Sequence, residues 1–144
     1  MSTVLIKNAT LVRDNLKEAD VFIKDGVITK IGRVDRGADT VVDGTGKHLF
    51  YGFFDMHAHL REPGFEGKET IASGVRAAVN GGFTDIACMP NTNPVNDNKV
   101  VTEYILNHAG KEGYAHVYPV GAITKGSLGT ELSEMAVMKA AGVV

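Results

Sequence analysis

The sequence predicts an α/β fold in which a small β-sandwich module precedes the first units of a (β/α)8 barrel, the TIM-type architecture. Three observations lead to this prediction. Short β-branched runs fill the first 50 residues, and strand patterns that alternate with helix patterns follow them. The starts of these later strands recur at intervals of about 30 residues, which is the length of one βα unit. We therefore divide the chain into a β module, residues 1–50, and an incomplete barrel domain, residues 51–144.

The β module begins with three apolar or β-branched runs, Val4–Ile6, Ala19–Lys24 and Val27–Ile31, and each of them predicts a short strand. Asp25–Gly26 separates the last two runs, and a two-residue Asp-Gly sequence between strands is typical of a tight β-hairpin. Asp43–Gly44 predicts one further turn. The module is therefore predicted to consist of short strands joined by turns.

The barrel domain is predicted from a repeated strand and helix pattern. Phe53–His59 predicts the first strand, and Glu69–Asn80 predicts a helix that Gly81–Gly82 ends. The later segments follow the same pattern: strands Thr84–Met89 and His116–Ile123, helices Lys99–Ala109 and Glu131–Ala141, and the start of a fourth strand at Val143–Val144. A complete barrel needs about 250 residues, so three βα units predict a fragment of one.

Repeated βα units also occur in doubly wound sheets, and two observations favour the barrel over that alternative. The early glycine turns do not follow the nucleotide-binding G-x-G-x-x-G pattern. Polar residues instead cluster just after the predicted strands, where barrel enzymes carry their chemistry.

Composition and charge restrict the kinds of partner. The formal net charge is −2, with both signs spread along the chain, so no basic stripe predicts a nucleic-acid partner. No apolar run approaches the ~20 residues of a membrane span. The single cysteine, Cys88, fits a reducing compartment. We expect a cytoplasmic protein that acts on small molecules, without a nucleic-acid or membrane partner.

Asp55, His57 and His59 alternate with apolar residues at the end of the first barrel strand. Because successive side chains of a strand point to opposite faces, these three are predicted to point together into the barrel. The alternating apolar set is predicted to lie under the helices: Phe54, Met56, Ala58 and Leu60. Two imidazoles at this spacing can bind one divalent ion, with zinc typical for nitrogen ligands. Asp55 could ligate or orient a histidine, and hydrogen-bonded core histidines are the alternative without a metal.

The pattern Asp-x-His-x-His after a first barrel strand resembles that of the amidohydrolase superfamily, whose barrels carry one or two metal ions. Three segments are similar to the bacterial class I dihydroorotases: Asp55–Gly64, Lys68–Gly74 and Met89–Pro94. The resemblance covers nearly the whole chain. It implies a cyclic-amide hydrolase that interconverts L-dihydroorotate and N-carbamoyl-L-aspartate in pyrimidine biosynthesis.

The resemblance also implies roles for particular residues. His57 and His59 would bind zinc, as one or two ions, while His59, Arg61 and Asn91 would contact the substrate. The remaining metal ligands and the catalytic base would follow Val144, so no catalytic residue is expected within 1–144. Residues 1–144 alone are therefore expected to be inactive. A homodimer is expected, and an aspartate transcarbamoylase is a possible partner.

Other interpretations remain open at these positions. Arg61 could form a surface salt bridge, and Asn91 could serve as a turn residue beside Pro90. The runner-up function is a dihydropyrimidinase or an allantoinase, which share the histidine pattern but bind differently substituted rings. Arg61 argues against these, because its guanidinium matches a carboxylate. A non-catalytic subunit that stabilises a transcarbamoylase is the alternative outside the enzymes.

Overall fold

The computed structural model describes residues 1–12 and 17–144, which form two compact units, Met1–Tyr51 and Gly52–Val144. The first unit is a sheet in the order β3-β2-β1-β4, with β5 also paired to β1. Its strands are β1 (Thr3–Leu11), β2 (Lys17–Lys24), β3 (Val27–Gly32), β4 (Thr40–Asp43) and β5 (His48–Leu49). The three predicted strands are therefore present, with longer bounds.

The predicted hairpin turn is confirmed. Asp25 and Gly26 have φ values of 49° and 80° and connect the antiparallel strands β2 and β3. Positive φ at both central residues is characteristic of the two-residue turn whose twist matches that of the flanking strands. The five described strands are all hydrogen-bonded into one sheet through β1 and β2, so the described residues do not themselves form the two packed sheets of a sandwich.

Asp20 holds an irregular part of the first sheet together. The pairing of β1 with β2 shifts register between Ile6 and Ala9, and Asn8 within this bulge has a φ of 55°. The Asp20 carboxylate accepts the backbone N–H of Asn8 at 3.0 Å and that of Val34 at 3.0 Å. Both hydrogen bonds lower the pKa of Asp20, and the bond from Asn8 has the larger effect.

We expect the Asp20 contacts to make the first unit sensitive to acid. A carboxyl whose pKa is lower in the folded state stabilises the fold above its unfolded pKa of about 3.9 and loses that effect as the pH falls through the folded value. Asp20→Asn should therefore lower the thermal midpoint of the complete protein at pH 7 and flatten its decline below about pH 4. Calorimetry at pH 7 and pH 3 measures both effects. Glu18→Gln, at an exposed position of the same strand, is the control for loss of a charge, and equal behaviour of the two variants would contradict this expectation.

The second unit is an α/β arrangement whose three parallel strands lie in the order β6-β7-β8. Its elements are β6 (Phe53–Ala58), α1 (Ile71–Asn80), β7 (Phe83–Cys88), α2 (Lys99–Glu112), β8 (His116–Pro119) and α3 (Met135–Ala141). One face of the sheet packs against the helices through a continuous apolar core: Leu60, Ile71, Val75, Ile86, Cys88, Val101, Ile105, Ala109 and Val117. The alternating strands and helices of this unit are therefore as predicted.

Local sequence sets the ends of the first two helices. Thr70 and Ser73 form a reciprocal capping box at the start of α1, and α1 ends at the predicted glycine pair, where Gly82 has a φ of 86°. The Asn98 side chain accepts the backbone N–H groups of the first turn of α2, which ends at Gly113 in the left-handed conformation. No helix among the described residues is both long and apolar enough to cross a membrane.

The third βα unit departs from the sequence prediction. Strand β8 ends at Pro119 rather than Ile123, and α3 begins at Met135 rather than Glu131. The intervening chain instead turns back on itself, with Thr124 bridged to Leu132 in an antiparallel pair. Residues 143–144 are not a strand, although the Val144 N–H donates to the Pro119 carbonyl at 3.1 Å.

Candidate metal and substrate site

A register shift in β6 determines which side chains reach the candidate site. Asp55 lies opposite Ile86 and Ala58 lies opposite Cys88. The step from the first pair to the second is therefore three positions on β6 and only two positions on β7. Ile86 and Cys88 belong to the helix-facing core. Asp55 and Ala58 therefore both lie on the side of the helices, and one residue between them is extra.

This shift corrects the predicted alternation. Ala58 and Leu60 pack against the helix-facing core as expected, but Met56 is 76% exposed. Phe54 lies opposite Asp85, and its ring centroid is 5.4 Å from that of Tyr118 on the other face of the sheet. Asp55 does not share the face of the histidines. Its carboxylate instead accepts the backbone N–H of His57 at 2.9 Å, which supports the shifted segment.

The structure brings His57 and His59 together. They flank Ala58, and their ring centroids lie 5.2 Å apart with the ring planes inclined at 71°. Both side chains are exposed, so burial supplies no argument that they need a metal. Their proximity is the relevant observation, because two imidazoles this close can bind one ion. No cluster of three or more His, Cys, Asp or Glu side chains suited to a metal occurs among residues 1–12 and 17–144.

Asn91 joins the histidine pair from the neighbouring strand end. Its amide oxygen lies 2.9 Å from Nδ1 of His59, within hydrogen-bond distance. Asn91 follows β7 in the sequence, and β7 pairs directly with β6. The carboxyl ends of adjacent parallel strands thus place three of the four predicted site residues in one group.

The loops that carry Arg61 and Asn91 are fastened to each other. The backbone N–H of Asn93 donates to the Pro63 carbonyl at 2.8 Å. Gly64 has a φ of 96°, and a Cβ placed on it would overlap the backbone oxygen of Asn93. Only glycine allows this close approach without strain. The two loops therefore form one structural unit at the strand ends.

Arg61 occupies a strained turn immediately after β6. Its φ is 63°, and the backbone N–H of Glu62 donates to the Leu60 carbonyl at 2.8 Å, which closes a three-residue turn around it. Positive φ is uncommon for a long side chain, and such strain occurs preferentially at functional sites. Among the described residues, no carboxylate forms an ion pair with its guanidinium. The alternative of a surface salt bridge for Arg61 therefore finds no partner in the described part of the chain.

Glu62, which the sequence predicted only as a supporting residue, positions the loop through two contacts that no sequence pattern indicated. One carboxylate oxygen accepts the Ile71 N–H at the start of α1 at 2.8 Å, and the other accepts the Tyr104 hydroxyl of α2 at 2.9 Å. Two effects raise the pKa of Tyr104: desolvation, which is the larger, and the nearby Glu62 carboxylate. The hydroxyl of Tyr104 therefore remains a hydrogen-bond donor near neutral pH. Glu62 thereby attaches the residue after Arg61 to two helices.

Asn96, which no sequence pattern singled out, supports the loop that carries Asn91. Its side chain is fully buried and donates to the Val120 carbonyl at 3.0 Å, while its amide oxygen accepts the Thr102 hydroxyl at 2.8 Å. Its backbone N–H donates to the Pro90 carbonyl at 3.0 Å. Because each of these groups comes from a different element, no local sequence pattern could have indicated this role.

Two further polar residues lie outside the candidate site. Asp85, on the sheet face away from the helices, accepts hydrogen bonds from Thr84 and from Tyr118, and its Oδ1 lies 3.2 Å from Nδ1 of His116. These hydrogen bonds lower the pKa of Asp85, and the bond from Thr84 has the largest effect. Cys88 is a buried core residue, as expected. Its burial raises the pKa of the thiol to about 12, so the thiol stays protonated.

Comparison with solved structures defines the class of the fold. The L-hydantoinase (dihydropyrimidinase) from Arthrobacter aurescens matches with a TM-score of 0.85 and 28% identity, over 99% of this chain and 32% of that one. A D-hydantoinase (dihydropyrimidinase) from Thermus sp. matches with a TM-score of 0.63 and 27% identity, over 84% of this chain and 28% of that one. The chain thus has the α/β fold found in part of these hydantoinases of the amidohydrolase superfamily.

Sequence comparison identifies the family. The family model described as dihydro-orotase-like matches residues 46–144. Proteins named dihydroorotase from Thermoanaerobacter sp. (strain X514) and Pelotomaculum thermopropionicum are 50% and 52% identical over 98% of this chain. The chain belongs to the dihydro-orotase-like family, which confirms the resemblance seen in the sequence. It spans about a third of the length of these curated relatives, 33% and 34%.

Proposed function

We propose that the protein to which this chain belongs is a zinc-dependent dihydroorotase that interconverts L-dihydroorotate and N-carbamoyl-L-aspartate. The observation that carries the proposal is the grouping of His57, His59 and Asn91 at two adjacent strand ends. This grouping occurs in a chain half identical to proteins named dihydroorotase. Arg61 lies two residues after His59 and supplies the positive charge that a carboxylate substrate requires.

The histidine pair fits a divalent metal ion as two of its ligands. With an amide oxygen opposite Nδ1 of His59, the hydrogen of the neutral ring lies on Nδ1, and Nε2 keeps its lone pair. Two neutral nitrogen ligands suit zinc better than calcium or magnesium. When bound, one or two zinc ions would supply Lewis acidity to a ring amide and to an attacking water.

The protein's own residues would bind and orient the substrate. The guanidinium of Arg61 would hold the dihydroorotate carboxylate through two parallel hydrogen bonds, and the NH2 group of Asn91 would donate a third. His59 would lie at the border between the metal and this carboxylate. Fixing the carboxylate in this way would orient the ring so that water adds to the amide carbon and the carbon–nitrogen bond opens. The base that accepts the water proton and returns a proton to the departing ring nitrogen is proposed to follow Val144.

The second candidate is a hydantoinase or dihydropyrimidinase, which the structural match with a TM-score of 0.85 favours. Allantoinase belongs to the same group of alternatives. These enzymes would not need an arginine that binds a carboxylate. A non-catalytic subunit that stabilises a transcarbamoylase is the remaining alternative, and it would bind no zinc at the histidine pair.

Several further properties belong to the same proposal. We propose that the three parallel strands are part of a (β/α)8 barrel and that the first unit, residues 1–50, is part of a β-sandwich. The reaction would serve pyrimidine biosynthesis in the cytoplasm. A homodimer is proposed, with an aspartate transcarbamoylase as a possible partner.

The deciding experiment measures turnover of L-dihydroorotate, dihydrouracil and hydantoin by the complete protein, before and after zinc is removed with a chelator. We expect turnover of L-dihydroorotate above the other two rings, loss of this turnover without zinc, and its return when zinc is added. Preference for either uncharged ring would support the second candidate. Absence of turnover with any ring would support the non-catalytic subunit.

We expect His57→Ala and His59→Ala each to lower the zinc content of the complete protein and to abolish measurable turnover, because each removes a proposed ligand. Metal content by mass spectrometry and kinetic assays measure these effects. His48→Ala, which removes an exposed histidine of the first unit, is the matched control. Unchanged zinc content in both variants would show that the ligand assignment is wrong.

A further inference from the structure

The contact between Asn91 and His59 also indicates which nitrogen of the His59 ring carries the hydrogen. A side-chain amide oxygen only accepts hydrogen bonds, and it lies 2.9 Å from Nδ1 of His59. The ring must therefore carry its hydrogen on Nδ1 in the neutral form. Nε2 is then the ring nitrogen with a free lone pair, and only such a nitrogen can ligate a cation.

Hydrogen bonds hold the backbone on both sides of Asn91, which limits the positions open to its side chain. The N–H groups of Thr92 and Asn96 both donate to the Pro90 carbonyl, at 2.9 and 3.0 Å. Thr92 is buried, and its hydroxyl donates to the Pro94 carbonyl at 2.8 Å. Asn93 is attached to the loop that follows Arg61. A residue fixed on both sides can restrain the ring that it contacts at little additional entropic cost.

The amide of Asn91 has two chemically different ends. The oxygen is used by His59, whereas no described residue hydrogen-bonds to the two N–H donors of the NH2 group. The donors can therefore bind an anion while the oxygen stays on the imidazole. One side chain could in this way connect a metal ligand with a bound carboxylate.

We propose that Asn91 is a positioning residue for the metal site, whose oxygen fixes His59 in the form that is protonated on Nδ1 and leaves Nε2 for the metal ion. The NH2 group separately serves the substrate carboxylate, and this second half rests on the proposed function. The first half concerns the protein without substrate and is independent of any turnover. The two halves make different predictions for different substitutions.

Asn91→Leu and Asn91→Asp separate the two roles. Leucine removes both ends of the amide, so zinc affinity, measured by competition with a chromophoric chelator, should fall by about 10-fold to 100-fold, as is usual when such a supporting contact is lost. Aspartate keeps an acceptor for Nδ1 but has no donor and carries a negative charge. Its zinc affinity should equal or exceed that of the unchanged protein, while the KM for L-dihydroorotate should rise.

The matched control is Asn93→Leu, in the same turn, because only the backbone of Asn93 makes the contact with Pro63. It should keep the zinc affinity of the unchanged protein. Zinc affinity that is unchanged in Asn91→Leu, or lowered equally in Asn91→Leu and Asn91→Asp, would overturn the positioning role. An effect as large in Asn93→Leu would show instead that the fold of the loop is responsible.

A direct measurement on the zinc-free complete protein uses 15N chemical shifts of the imidazole nitrogens, with the His59 signals identified by their loss in His59→Gln. We expect the hydrogen of His59 on Nδ1 in the unchanged protein and in Asn91→Asp, and a shift toward Nε2 in Asn91→Leu. A hydrogen on Nε2 in the unchanged protein would refute the proposal. Failure of the unchanged protein to bind zinc would refute the proposed function, while these shifts would still decide the role of Asn91.

Discussion

Arg61→Met in the complete protein is expected to lower kcat/KM for L-dihydroorotate by about thirty-fold or more. The substitution keeps an unbranched side chain of similar reach but removes the guanidinium fork. Losing a charge-assisted pair that is partly shielded from water costs about 2 to 5 kcal/mol, much of it because the carboxylate is left unpaired. In the structure no described carboxylate competes for the guanidinium, so it is available to an anionic ligand.

Zinc content should not change in Arg61→Met, because a guanidinium only donates hydrogen bonds and cannot ligate a cation. Turnover of dihydrouracil, which lacks the carboxylate, should change much less than turnover of dihydroorotate. Lys68→Met is the matched control, since it removes an exposed positive charge from the same loop. Equal losses on both rings would contradict the carboxylate role, and loss of zinc would indicate that Arg61 supports the structure of the site.

The backbone of Arg61 adds a second part to this experiment. Its φ of 63° is unfavourable for both arginine and methionine, so Arg61→Met leaves the strain of the turn unchanged. Arg61→Gly relieves that strain and also removes the guanidinium. If binding of the carboxylate is the main role, both variants should lose activity to a similar extent. If the strained turn itself matters, Arg61→Gly should lose more.

Features that depend on a few neighbouring residues were predictable from the sequence. The Asp25–Gly26 hairpin and the glycine pair after α1 were both predicted and are both present. Gly26 and Gly82 each adopt a positive φ that glycine accommodates freely, and this needs no information about distant residues. The parallel βα order likewise follows from the spacing of apolar runs.

Features that depend on pairing between distant strands were not predictable. Strict alternation along β6 placed Asp55 with the histidines, but the register with β7 inserts an extra residue before Ala58. That shift is set by which residues of β7 pack under the helices, and a period of two cannot reveal it. His57 lies within the shifted segment and His59 follows it, and their rings are still only 5.2 Å apart.

Part of the candidate site was predictable from residue spacing and from the order of the strands. The grouping of His57 and His59 follows from their spacing on one strand, and the position of Asn91 follows from the adjacency of parallel strand ends. The supporting contacts of Glu62 with α1 and α2 link residues up to 42 positions apart. Such contacts arise only when the helices have packed, so single-sequence patterns contain no trace of them.

Gly64→Ala is expected to damage the site although Gly64 contacts neither zinc nor substrate in the proposed function. A Cβ at this position would overlap the backbone oxygen of Asn93 and lie 2.5 Å from its Cβ, so one of the two loops must move. The φ of 96° adds strain of about 1 to 3 kcal/mol for a residue that has a side chain.

Movement of either loop changes the position of Arg61 relative to Asn91 and disturbs the contact with His59, so we expect kcat/KM to fall by about 10-fold to 100-fold, the effect of a displacement near 1 Å. The thermal midpoint should fall as well. Gly67→Ala is the matched control, because it lies in the same loop, its φ is not in the left-handed range, and its Cβ would meet open space. Kinetics and calorimetry on both variants measure the difference. If Gly64→Ala behaves like Gly67→Ala, the two loops adjust independently, and their attachment to each other does not determine the geometry of the site.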